Sequence, residues 1–121
     1  MRTGVFQQGP GTIEDDGDYT NDVIAVFRAP KDFAVTIVQV TAVAMGNTLS
    51  YDLEERAYGS EGSTGTTMFA EISREVATTG NKETTFSNAS IAADAAIYFV
   101  GKDDGGATAV SYTFYFTKDV E

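Results

Sequence analysis

A chain of 121 residues with 18 acidic and 8 basic side chains carries a formal net charge of −10 and has no histidine, cysteine or tryptophan. That length is one domain, able to hide roughly two-thirds of its unfolded surface without metals or disulfides. The charge argues against direct nucleic-acid binding, whose affinity comes largely from lysine and arginine displacing counterions. Without histidine or cysteine, Ser-His-Asp and Cys-His catalysis is excluded and no Ser-x-x-Lys pair replaces it. No enzymatic activity, cofactor or metal is therefore expected.

The start, Met1-Arg2-Thr3-Gly4, is polar and lacks the apolar stretch of a signal peptide. Residues 1–21 read as an N-terminal arm, with Gly4, Gly9, Pro10, Gly11 and Gly17 and an acidic cluster of Glu14, Asp15, Asp16 and Asp18. Such a segment has too little apolar content to repay its ordering entropy alone. Val5, Phe6 and Ile13 are the residues able to anchor it to a neighbour. The body, residues 22–121, then reads as a single β-sandwich domain.

Asp22 to Ala29 is a strand, broken at Ala29-Pro30 because proline cannot donate to a ladder. From Phe33 to Met45 runs an uncharged stretch that is apolar on both alternating faces. Phe33, Val35, Ile37, Val43 and Met45 lie on one side; Ala34, Val38, Val40, Ala42 and Ala44 lie on the other. It is shorter than the roughly 20 residues a membrane helix needs, so the protein is expected to be soluble and made in a cytoplasm. A half-exposed strand shows one polar face. This one reads as a central strand covered on both sides, by its own domain on one face and by another subunit on the other.

Gly46-Asn47 is a turn signal. Thr48 to Tyr58 alternates, with Leu49, Tyr51 and Leu53 inward and Ser50, Asp52 and Glu54 outward. Gly59 to Thr67 is a Gly/Ser/Thr loop, and Thr66 to Val76 is read as a helical turn leading into a short strand. Glu83 to Ser87 and Ala95 to Gly101 are strands, Lys102 to Gly106 is a hairpin loop, and Val110 to Thr117 closes the chain. There Tyr112, Phe114 and Phe116 form an apolar face opposite Ser111, Thr113, Tyr115 and Thr117. Many short strands with turn signals every 8–15 residues give an all-β antiparallel sandwich, jelly-roll-like in wrapping.

None of the chemistry-bearing patterns rises to a site. The Glu14–Asp18 cluster lacks the EF-hand spacing and reads as a solvated loop. Asp52 and Glu54 share a strand face but read as solvent-facing charges rather than the paired carboxylates of a glycosidase. Gly59 to Gly65 has no lysine in the Walker position. Six tyrosines offer stacking surfaces for sugars, although tyrosine is ordinarily enriched in sheets and at interfaces.

Residues 36–117 resemble the small β-sandwich virion proteins of tailed bacteriophages, of the capsid cement or decoration type. The similar pieces are Val35-Thr36-Ile37-Val38-Gln39-Val40, Thr48-Leu49-Ser50-Tyr51-Asp52-Leu53-Glu54-Glu55-Arg56, Thr66-Thr67-Met68-Phe69-Ala70 and Thr85-Phe86-Ser87-Asn88-Ala89-Ser90-Ile91-Ala92-Ala93, in that order before a closing aromatic hairpin. The resemblance implies an outer capsid protein, trimeric at three-fold positions, that stabilises contacts between capsomers. Its partners would be the major capsid protein and further copies of itself, with no nucleic acid or membrane, and its place the capsid surface of a virion made in the host cytoplasm. Val5, Phe6, Ile13, Val38, Val40, Tyr112 and Tyr115 are the candidate subunit or capsid contacts. The alternative is a carbohydrate-binding module of a phage fibre or a secreted enzyme.

Overall fold

The computed structural model describes residues 2–14, 20, 22–69, 74–76 and 81–120. It contains ten strands: β1 (Arg2–Glu14), β2 (Val23–Arg28), β3 (Val35–Met45), β4 (Leu49–Arg56), β5 (Thr66–Thr67), β6 (Arg74–Val76), β7 (Asn81–Glu83), β8 (Ser90–Ile91), β9 (Ala96–Asp104) and β10 (Ala109–Val120). No helix forms among the described residues, so none is long and apolar enough to cross a membrane.

All strand pairs are antiparallel, and the strands divide into two sheets. The first runs β1-β10-β3-β7, with β8 also on β3; the second runs β2-β9-β4-β5, with β6 also on β4. The pairs are nested in sequence: β1 with β10, β2 with β9, β3 with β8, β4 with β5. A chain folded back on itself and wrapped in this order is a jelly roll. The all-β sandwich expected from the turn spacing is the fold.

Alternation supplies the core. Leu49, Tyr51 and Leu53 of β4 and Phe114 and Phe116 of β10 are buried between the sheets, as their sequence parity requires. The Phe116 ring is the seam: Phe6 stacks on it at 5.3 Å from the first sheet and Phe27 at 4.3 Å from the second. Offset rings at such separations add to the area they bury.

Three expectations change. The arm of residues 1–21 is, over Arg2–Glu14, the edge strand of the first sheet, paired with β10 from Arg2↔Val120 to Glu14↔Ala109. The sandwich therefore begins at β1 and not at residue 22. Glycine and proline suggested a loop, but they make a bulge between Gln8 and Gly11 on an edge strand, where proline is tolerated. Gly9 is the glycine required there: its φ is +101°, and a Cβ on it would meet the backbone carbonyl oxygen of Tyr112 at 2.8 Å. Residues 15–19 and 21 of the expected arm lie outside the described residues.

The second change is in β3. Val35, Ile37, Val40, Ala42 and Ala44 are all buried, so inward parity switches after Ile37. Thr36, Val38 and Met45 are exposed and Gln39, Thr41 and Val43 half-buried. One face of β3 is core and the other is left exposed or half-buried by the described residues. The strands covered on both sides are β4 and β9, in the second sheet. Third, no helical turn appears among the described residues of the 66–76 stretch, which contributes β5 and β6 and the buried Met68 and Phe69. The expected strand around Phe86 lies instead at Asn81–Glu83, and β8 was not anticipated.

Candidate functional site

The outer faces of the two sheets differ in kind. On the second sheet, β4 points Asp52 and Glu54 outward, yet they are only 3% and 8% exposed. Segment 57–67 folds back over them. The Thr67 hydroxyl donates to Asp52 Oδ2 at 2.5 Å and the Leu53 N–H to Oδ1 at 2.7 Å. Glu54 Oε1 accepts from Arg56 Nη2 and from the Gly65 N–H, both at 3.0 Å, and Arg56 Nη1 donates to the Glu61 carbonyl at 2.7 Å. A side chain at Gly65 would run into the backbone carbonyl of Glu55. Arg28 Nη2 reaches Glu61 Oε2 at 2.7 Å, and the Arg28 and Arg56 guanidinium groups lie 5.6 Å and 4.9 Å from the ring centres of Tyr58 and Tyr98. Inside the loop of the nested fold, Glu55 binds the Asn88 amide at 2.8 Å and the Ala92 N–H at 2.7 Å.

The expectation that Asp52 and Glu54 are solvent-facing is thus overturned, because alternation gives the side of a strand but not what covers it. Burial pushes the Asp52 carboxyl above its ordinary value, against the Thr67 hydroxyl, the Leu53 N–H and the Lys102 charge. The Glu61 carboxyl is held below its ordinary range by its hydrogen bond from Arg28, whose own pKa rises in return. Each of these carboxylates is engaged within the fold as a brace for the 57–67 segment.

The outer face of the first sheet is built mainly of hydroxyl, amide and apolar side chains, with Lys82 on its β7 side. Cross-strand register places Thr12, Ser111 and Val43 in one row, Thr113 and Thr41 with Lys82 in the next, and Gln7, Tyr115 and Gln39 in a third. Thr117, Thr36 and Ser90 form a fourth row. Val38 and Met45, 39% and 45% exposed, stand on β3 beside these rows. Among the described residues of the four rows there is no carboxylate, on a chain with 18.

Of the seven expected contacts, this face holds Val38 and Tyr115, which the β3–β10 register brings together at a bulge. Ile13 and Val40 are core residues, 7% and 1% exposed, and are not surface contacts. Phe6 and Tyr112 pack inward against the core. The Val5 backbone pairs with Thr117, and its side chain lies outside what is described. Sequence reasoning missed Thr36, Gln39, Thr41 and Met45 because it took β3 as unbroken. The outward parity of Ser111, Thr113, Tyr115 and Thr117 on β10 was the signal that locates the face.

No family model matches this chain, and no curated protein matches it. Among solved structures, one chain of the acid-stable capsid of Helicobacter pylori bacteriophage KHP30 is 12% identical, over 96% of this chain and 99% of that one, with a TM-score of 0.47. A chain of infectious bursal disease virus, Gx strain, is 16% identical over 97% of this chain, with a TM-score of 0.45. This chain spans 32% of the length of that one. Both neighbours come from viruses, and at this overlap neither bears on what this chain binds.

Proposed function

We propose that this chain is a structural virion protein, a cement or decoration protein that seats the outer face of its first sheet on the outside of a phage capsid and bridges adjacent capsomers. The observation that carries the reading is the absence of carboxylates from the four rows of this face, on a chain of net charge −10. Interface centres are depleted in charge and enriched in tyrosine, while acidic surface elsewhere keeps the free protein soluble. The order of residue segments shared with phage decoration proteins supports the same reading, and the homotrimer rests on that resemblance alone. The partner is the major capsid protein, and no catalysis is assigned. Binding only the assembled lattice stabilises that lattice by mass action, as RT ln(1 + [L]/Kd).

The test is co-sedimentation with empty shells built from the major capsid protein of the phage that carries this chain. Wild type is expected to pellet with shells. Thr41→Glu, which puts a carboxylate in the middle of the face, is expected to stay in the supernatant with an unchanged melting temperature. Wild type that does not bind, or Thr41→Glu that binds as tightly, overturns the proposal.

One observation favours a second reading as a carbohydrate-binding module. Tyr58 is 72% exposed, with Arg28 against its ring and Glu61 beside it, an aromatic surface flanked by polar groups. Saccharide-dependent shifts of Tyr58 ring signals, lost in Tyr58→Ala, would support that reading.

A further inference from the structure

At the Ser90 end of the same face, three segments converge on an open cleft lined by Phe33, Ala34, Thr36, Ser90, Thr117 and Lys118. Thr117 pairs with Thr36, and Thr36 with Ser90, so three hydroxyl side chains stand in adjacent positions across β10, β3 and β8. Neighbours in such a row are about 5 Å apart. The Lys118 ammonium rests 3.5 Å from the centre of the Phe33 ring, which holds a long flexible side chain in one place at the rim.

Charge sharpens the point. Arg28 and Arg56 each have carboxylate partners. Among the carboxylates whose side chains are described, none lies within ion-pair distance of Lys118, and none lines the cleft. A cation resting on a ring, beside three hydroxyl donors in a cleft that no carboxylate lines, is arranged to receive an anion from outside. Hydroxyls and an ammonium match the oxygens of a carboxylate with charge-assisted hydrogen bonds.

We propose that this cleft is a carboxylate-binding site that receives an acidic side chain of the shell protein on which the face docks. The inference rests on the docking reading above and adds to it the polar contact that fixes register. A face of threonine, valine and glutamine slides easily, and one directional ionic contact at its edge sets the position of the rest.

The test begins on the isolated protein, without shells. Acetate is titrated while the backbone amides of Thr36, Ser90, Thr117 and Lys118 are followed by NMR, with inorganic phosphate as a parallel arm. Acetate is expected to shift these amides saturably. Lys118→Met, which keeps an apolar contact with Phe33, is expected to weaken binding about tenfold or more, and Lys118→Arg to retain it. Amides that do not respond to acetate, that respond equally in Lys118→Met, or that respond only to phosphate overturn the proposal. Shell binding separates the two readings. Loss for both Lys118→Met and Thr41→Glu supports the anchor. Loss for Thr41→Glu alone overturns the anchor and leaves the docking face standing, and shells that never bind wild type overturn the docking role of both.

Discussion

Ile37 and Val40 are three residues apart in β3, yet both point into the core and both are 1% exposed. The partner strand explains it. Tyr115 and Phe116 are consecutive in β10, whereas their partners Gln39 and Ile37 have Val38 between them. Val38 is an inserted residue that bows the strand outward, a bulge. Beyond it the inward row continues as Val40, Ala42 and Ala44. The apparent two-faced apolar pattern is thus one apolar face whose phase slips once.

Deleting Val38 is therefore expected to be tolerated. Without it, Ile37, Gln39 and Val40 alternate in, out and in, and the ladder to β10 becomes regular. The melting temperature is expected to stay within about 5 °C of wild type, which corresponds to about 1 kcal/mol for a domain near this size. Deleting Thr41 instead reverses the faces of Ala42, Val43 and Ala44 and is expected to abolish the folded NMR spectrum.

Removing residues 1–14 is expected to unfold the sandwich or to lower its melting temperature sharply. β10 would lose its partner along the whole of β1, and Phe116 would lose the Phe6 ring. Ile13→Ala alone is expected to cost about 2–5 kcal/mol, the range for truncating a buried isoleucine. A truncated chain that melts like wild type would falsify the edge-strand role.

The Asp52 carboxyl is raised above its ordinary value of 3.8, chiefly by burial. A carboxyl whose folded pKa exceeds the unfolded one holds its proton more tightly when folded. Its contribution to stability is full below the unfolded pKa and is lost as pH rises through the folded value. Asp52→Asn removes that dependence. Relative to wild type it is expected to be most favourable at pH 7 and to lose that advantage towards pH 4. Chemical denaturation of both proteins across this range measures the difference, and parallel curves would show that Asp52 carries no such linkage.

Arg56 and Arg28 are expected to differ. Arg56 and Glu54 side chains are each 10% exposed, so Arg56→Gln leaves a covered carboxylate without its cation and costs about 3 kcal/mol. Arg28 is 42% exposed, and Arg28→Gln is expected to leave the midpoint nearly unchanged. The contrast is read from urea midpoints of the two variants. Equal losses would mean that the 57–67 segment is held from both sides.

The parts of the fold legible in the sequence are those where alternation runs unbroken, such as Leu49-Ser50-Tyr51-Asp52-Leu53 and Tyr112 to Thr117. A bulge hides when the inserted residue resembles its neighbours, as Val38 does among valines and isoleucine, and as Val26 does in β2, where pairing slips between Ala25 and Phe27. β1 was missed because Gly9, Pro10 and Gly11 describe a loop until Tyr112 is seen against Gly11. The burial of Asp52 and Glu54 depends on a segment that returns over them from ten or more residues downstream. The outward row of β10 was readable, but its meaning waited on Thr41 and Gln39 being placed beside it.

The pairing of Arg2 with Val120 has a mechanical consequence. Because β1 and β10 are antiparallel neighbours that start and finish together, a pull on the two ends loads their hydrogen bonds one pair after another, like a zipper. Such a geometry yields at low force, whereas a pull between Arg2 and Glu14 of β1 and the body would have to shear the ladder at once. In a single-molecule stretching experiment the chain held by its ends is expected to peel from β1 and β10 inward, and a load entering through the broad face of the first sheet would bypass that weak seam.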